Sequence, residues 1–189
     1  MRIISKLGAV ALAAVLAVSP ATLPAQSADD GGTARFAFVD LVSDRPVRAR
    51  TFYRDLFGWR FENSEVPTEQ VITHRGHQIG RLVSIADLDP QKVEGQWIPV
   101  LSVPSVDNAH AAARGAGGRV VVAPTDDAVS GRYSVVRDPG GAVLTLFDGE
   151  IPSAQPQKTG LAVWLDLFTS GVPGAERFYD RVAGLKTIS

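Results

Sequence analysis

FVDLVSDRPVRARTFYRDLFGWRF (residues 38–61) and WLDLFTSGVPGAERFYDRVAGLKT (residues 164–187) align without a gap at a constant offset of 126. Asp40 falls on Asp166, Leu41 on Leu167, Ala49 on Ala175, Phe52 and Tyr53 on Phe178 and Tyr179, and Gly58 on Gly184. Self-similarity at a fixed spacing bounds the architecture before any residue-level reading. Here it implies a unit of about 126 residues, one complete copy of it, and roughly the opening quarter of another.

Inside the repeated segment the apolar period changes from two to 3.6. Phe36–Ser43 alternates as a strand, with Phe36, Phe38 and Asp40 on one face and Ala37, Val39 and Leu41 on the other. Pro46 suits the first turn of a helix, where a missing N–H costs nothing. Ala49, Phe52, Tyr53, Leu56 and Phe57 form one helical stripe, and Gly58 stops it. The second copy keeps the stripe in Ala175, Phe178, Tyr179, Val182 and Ala183, and the stop in Gly184.

Outward from there, Trp59–Glu65 reads as a strand, and Val71–His74 with Gln78–Ile85 as a hairpin around Arg75-Gly76-His77. Asp87–Gly95 is a polar connector. The pattern then restarts: Trp97–Val103 is a strand, Ser105 a cap, and Ala109, Ala112, Ala113 and Ala116 the inner stripe of a small-residue helix ending at Gly115, Gly117 and Gly118. Arg119–Ala123 is a strand, and Arg132–Arg137 and Ala142–Phe147 pair across Asp138-Pro139-Gly140-Gly141, a turn set by the proline ring and the glycines. Residues 34–150 therefore read as strand–helix–strand–strand–strand twice, in modules 34–95 and 96–150. Residues 151–160 are a linker, and 161–189 begin a second, truncated unit. The expected class is α+β, built of paired βαβββ modules.

Residues 1–28 have the tripartite form of a secretory signal: Arg2 and Lys6, an apolar run from Leu7 to Val18, then small residues around Ala25-Gln26-Ser27. The run is too short for the ~20 residues of a spanning helix. The reading predicts a secreted or periplasmic protein with no membrane attachment after cleavage. The leader takes two basic and no acidic residues from the chain's 19 basic and 20 acidic, leaving 17 against 20. That mild acidity gives no footprint for nucleic acid. Zero cysteines exclude disulfides, thiolate catalysis and Cys-bound zinc. Arg45, Arg48, Arg50 and Arg54 read as a solvated helix face.

Three patterns in this order resemble the vicinal oxygen chelate superfamily of glyoxalases, bleomycin-resistance proteins and extradiol dioxygenases. They are the strand–helix segment Asp40–Gly58 with its copy Asp166–Gly184, the helix entry and exit Ser105–Val120, and Gly131–Gly141 leading into the last strand. The resemblance implies curved sheets facing one cleft, and in metal-using members His, Gln or Glu ligands from the first and last strands of each module. Carried onto this chain, those stations fall on Phe38 and Thr145, and neither Gly80–Ala86 nor Trp97–Val103 contains His or Glu. No ligand set is present, so no metal or other cofactor is expected.

Candidate cleft residues are then Phe38, Asp40, Trp97, Thr145 and Phe147, an aromatic lining with few polar groups of the kind that holds small organic molecules. Asp40 reads either as a carboxylate that binds a ligand amine or hydroxyl or acts as a base, or as a structural acid that hydrogen-bonds nearby backbone or pairs with an arginine. Trp59 reads as core. His74 and His77 flank a turn rather than a helical face, His110 reads as an exposed helix residue, and Ser84, Ser130 and Ser134 lack a His–Asp arrangement. The function expected is small-molecule binding without metal, with a homodimer compatible with the pattern. The alternative is a metal-dependent lyase, isomerase or dioxygenase whose site lies in the remainder of the second unit; a structural, chain-pairing role is the third reading. Residues 160–189, with Leu161, Val163, Leu165 and Leu167 on one strand face, are expected to pack loosely or to seek another chain.

Overall fold

The computed structural model describes residues 2–4, 34–85, 95–127, 131–149 and 165–186. The elements run β1 (Arg2–Ile4), β2 (Arg35–Ser43), α1 (Pro46–Phe57), β3 (Arg60–Asn63), β4 (Glu69–His74), β5 (His77–Ser84), β6 (Gln96–Ser102), α2 (Val106–Gly115), β7 (Arg119–Asp127), β8 (Gly131–Arg137), β9 (Val143–Asp148), β10 (Asp166–Phe168) and α3 (Val172–Ala183). Eight strands form one curved sheet in the order β3-β4-β5-β2-β6-β9-β8-β7, while β1 pairs in parallel with β10 in a separate ribbon. The linker 151–160 and most of the leader and the 87–95 connector lie outside the described residues, as do Leu161 and Val163.

The order is that of two βαβββ modules joined edge to edge. Each module's first strand is parallel to its last, β2 to β5 and β6 to β9, and β2 meets β6 antiparallel at the centre. A shift of 60 residues carries Pro46 onto Val106, and Phe38, Val39 and Asp40 onto Ile98, Pro99 and Val100. Phe38 pairs with Val100, Asp40 with Ile98, and Val39 with Pro99. The first two pairs exchange under the shift and the third maps onto itself, so a pseudo-two-fold axis passes through Val39 and Pro99.

Local signals hold each piece in place. Gly58 and Gly184 end their helices at φ 69° and 65°, the left-handed stop read from the repeat. Ser105 Oγ accepts from Asn108 N at 3.3 Å, and Asp148 Oδ2 accepts from Val106 N at 3.3 Å, fixing the entry of α2. Arg75 and Gly76 both have positive φ, as a two-residue hairpin turn of type I′ requires.

One face of the sheet carries the helices. Under α1, Leu41, Ile72, Ile79 and Leu82 pack with Tyr53, Trp59 and Trp97. Under α2, Leu101, Val136, Leu144 and Leu146 pack with Ala109 and Ala113, and with Ala175, Phe178, Tyr179, Val182 and Ala183 of α3. α3 is therefore not loosely held, contrary to the expectation for residues 160–189: its whole stripe is buried on the first unit. A methyl added at Gly80, between β2 and β5, would lie 2.4 Å from the Val39 carbonyl oxygen. Gly80→Ala is expected to cost about 3 kcal/mol, the upper end for overpacked sites, read as a lowered urea midpoint.

Candidate functional site

The concave face, opposite the helices, is lined along each strand by alternate residues. β2 contributes Phe38, Asp40 and Val42; paired with them are Arg81 and Val83 of β5 and Ile98 and Val100 of β6. Beyond β6 come Thr145 and Phe147 of β9, then Tyr133 and Val135 of β8. Four of the five residues picked from the sequence, Phe38, Asp40, Thr145 and Phe147, come together here. All four are buried.

Trp97 does not join them. Its register partner is Leu41, on the helix-bearing face, and its Nε1 donates to Tyr53 Oη at 3.0 Å. Tyr53 in turn stacks on Trp59 with centroids 5.4 Å apart, so Trp97 and Trp59 are both part of the packing beneath α1. Both faces of β6 are apolar, and alternation alone does not say which one meets a helix.

Asp40 is held by an arginine. Its Oδ1 and Oδ2 accept from Arg81 Nε and Nη2 at 2.9 and 2.8 Å, a bidentate pair, and Arg81 Nη1 reaches Glu69 Oε2 at 3.4 Å. The guanidinium also lies 5.4 Å from the Phe38 ring centroid, within cation–π range. Burial pushes the Asp40 carboxyl above the usual carboxylate range, and the Arg81 charge opposes that shift. The sequence offered Asp40 without its partner, because the Asp40–Arg81 register is set by the parallel pairing of β2 with β5.

Next to this ion pair the face is apolar and aromatic. Phe38 and Phe147 meet edge to face at 6.1 Å, with Val100, Ala37 and Tyr133 around them. Thr145 pairs with Val100 as Arg81 pairs with Asp40, so Thr145 occupies in the second module the place of Arg81 in the first. Arg81, Glu69 and Tyr133 are the lining residues that sequence reasoning missed.

The residues present do not fit the divalent ion that the fold family implies. Around the axis stand Phe38, Arg81, Ile98 and Thr145, one of them itself a cation. Among the described residues no three His, Cys, Asp or Glu side chains converge. His74 and His77 face each other across the Arg75-Gly76 turn without a third donor of that kind.

Two further sites differ from the sequence reading or lie elsewhere. His110 is half-buried rather than exposed, with Nδ1 2.8 Å from Ser134 Oγ; that hydroxyl donates to the Val122 carbonyl at 2.9 Å, so the imidazole is the donor to it. Desolvation and the charge of Arg114 lower the His110 pKa, and Ser134 is sealed beneath α2 with its hydroxyl proton already engaged. An open groove of about 460 Å³ lies at the N-terminus of α1, lined by Pro46, Arg50, Asn63, Thr68 and Gln70 among others, and it includes none of the four concave-face candidates. Among the described residues, no helix is long and apolar enough to cross a membrane.

A central antiparallel β2–β6 pair joining two βαβββ modules defines the class, a glyoxalase-type double module. Residues 35–146 match the model of the Glyoxalase/Bleomycin resistance protein/Dioxygenase superfamily, and the chain belongs to that family. It is 30% identical over 154 residues to CFP32 of Mycobacterium tuberculosis (strain CDC 1551 / Oshkosh), designated a glyoxylase, covering 78% of this chain and 59% of that one. It is 26% identical over 175 residues to the anthracycline biosynthesis protein DnrV of Streptomyces peucetius, covering 79% and 60%. The chain thus spans about three fifths of the length of these curated relatives. The fold is shared with the Mn(II)-bound glyoxalase of Novosphingobium aromaticivorans (TM-score 0.54, 15% identity, 80% of this chain and 54% of that one). It is also shared with an extradiol ring-cleaving dioxygenase from B. fuscum (TM-score 0.54, 20% identity, 79% and 44%).

Proposed function

We propose that this chain is an exported binding module that takes a small, planar organic molecule on its concave face without a metal ion. The observation that carries the reading is the contiguous row Arg81–Phe38–Phe147–Tyr133, beside Thr145 and free of a His or Glu ligand set. Phe38 and Phe147, both buried, form the aromatic floor over which a flat ligand would lie. Thr145 carries one hydroxyl that can both donate and accept, and the Arg81 guanidinium, shared with Asp40 and Glu69, borders the face. DnrV carries anthracycline biosynthesis in its name, which makes an anthracycline a rational first probe. The leader pattern of residues 1–28 supports export.

The experiment is a thermal-shift and fluorescence titration of the mature protein with an anthracycline and a panel of smaller planar aromatics, paired with elemental analysis after dialysis. A saturable shift that Phe147→Ala weakens about tenfold or more, the ~1.4 kcal/mol expected of a lost aromatic contact, supports the reading. An ion retained at one per chain would sink it. That result would move the function to a metal-dependent lyase or dioxygenase with ligands from outside the first unit.

A further inference from the structure

The two modules treat one place in the fold differently. Carried through the pseudo-two-fold, Arg50 of α1 falls on His110 of α2. Arg81 falls on Thr145, so Leu82 and Ser84 of β5 fall on Leu146 and Asp148 of β9. Gln70 and Ser134, the register partners of Leu82 and Leu146, then correspond as well. In the second module this place is filled from within. His110 Nδ1 meets Ser134 Oγ at 2.8 Å, and the Asp148 carboxylate accepts from Val106 N at the entry of α2. In the first module the counterparts Arg50, Gln70 and Ser84 line the open groove of about 460 Å³. Gln70 is turned to its neighbour, with Nε2 donating to Asn63 Oδ1 at 3.1 Å, and half-buried Arg50 makes no hydrogen bond or ion pair among the described residues. A cover like the one α3 finds would not close this end of the helix: Pro173, the α3 counterpart of Val47 on the groove wall, stays exposed where α3 is seated.

We propose that this groove binds a carboxylate preceded by an amide, the end presented by an N-acyl amino acid or by the C-terminus of a peptide. The ligand carboxylate takes the part that Asp148 plays in the second module. Its donor is the Arg50 guanidinium, because Pro46 has no N–H to offer where Val106 has one. The contact between Asn63 and Gln70 leaves the Asn63 amide N–H groups and the Gln70 carbonyl oxygen without a partner among the described residues. A donor beside an acceptor matches the C=O and N–H of one peptide group. Pro46, Val47 and Val66 give the groove an apolar wall for the terminal side chain. The volume falls within the roughly 300–1,000 Å³ of small-molecule sites.

The probes are N-acetyl-L-leucine and a triglycyl-leucine peptide, each as the free acid and as the neutral C-terminal amide. They are titrated into the full chain and followed by backbone amide shifts in NMR. Saturable shifts are expected in segments 46–50 and 63–70 with the acids, and binding about tenfold or more weaker with the amides, as befits loss of a charged hydrogen bond. Arg50→Gln should abolish the preference for the acid, and Gln70→Leu should weaken acid and amide alike. Tighter binding of the peptide assigns the site to chain termini; equal affinity for the two acids assigns it to free N-acyl amino acids. Equal affinity for acid and amide on the native chain overturns the proposal without recourse to any variant. So does acid binding that Arg50→Gln leaves unchanged, or the absence of shifts in both segments at millimolar probe.

Discussion

Arg81→Met is expected to destabilise the protein by about 3–5 kcal/mol, the range for removing one partner of a buried ion pair. Asp40 is 5% exposed and both its carboxylate oxygens accept from Arg81, so the substitution strands a charge inside the sheet. The cost should depend on pH in a definite direction. Burial already raises the Asp40 pKa in the folded protein, and loss of Arg81 raises it further. A carboxyl whose folded pKa exceeds its unfolded value favours folding when protonated, and that contribution disappears as pH rises through the folded value. The deficit of Arg81→Met against the parent should therefore be largest near neutrality and shrink as the solution is acidified. Denaturant melts at a series of pH values measure it. Asp40→Leu with Arg81→Met removes both members of the bidentate pair and leaves only the half-buried Glu69 carboxylate at its edge, so it should recover most of the loss. A double variant as unstable as Arg81→Met would mean that the pair is more than a mutual neutralisation.

That pair marks the boundary of what was legible in the chain. The repeat, the two stripes and the turn residues are local, and they led to the strands, the helices and the two-module order. Asp40 was visible as a polar residue on an apolar strand, but Arg81 lies 41 positions on and meets it only because β5 returns parallel to β2. Tyr133 and Glu69 were hidden for the same reason. Trp97 drew attention by size, yet β6 is apolar on both sides, so alternation gave its parity without its direction. His110 was hidden differently: a polar residue on a small-residue helix reads as solvent-facing until a serine on the strand below is placed 2.8 Å away. Long-range register and the choice between two apolar faces are properties of the assembled sheet. They require the sheet to be known.

Phe178→Ala carries the second large effect, and its form is as informative as its size. A fully buried phenylalanine truncated to alanine costs about 3–5 kcal/mol when the cavity cannot collapse, and this ring has rigid surroundings. The position of a Gly118 methyl lies 2.8 Å from the ring edge and from the Ala113 carbonyl oxygen, and 2.9 Å from the Arg137 carbonyl oxygen, so backbone frames the space that Phe178 fills. Gly118→Ala should cost a comparable amount by forcing the same atoms apart. The loss falls first on the docking of α3, whose remaining ties include the Tyr179 hydroxyl donating to Asp138 at 3.3 Å and the Ala183 carbonyl accepting from Ala34 N at 2.9 Å. Neither replaces the buried ring. Once α3 is detached, further loss of its contacts no longer lowers the stability of the eight strands, and the global midpoint should move less than the full cavity cost. Hydrogen exchange separates the two: amides of 172–183 should lose protection by two to three orders of magnitude, the equivalent of about 3–4 kcal/mol, while β2 and β6 change far less. Equal loss in α3 and in the central strands would show instead that α3 and the sheet unfold as one cooperative unit, with α3 an integral third layer of the fold.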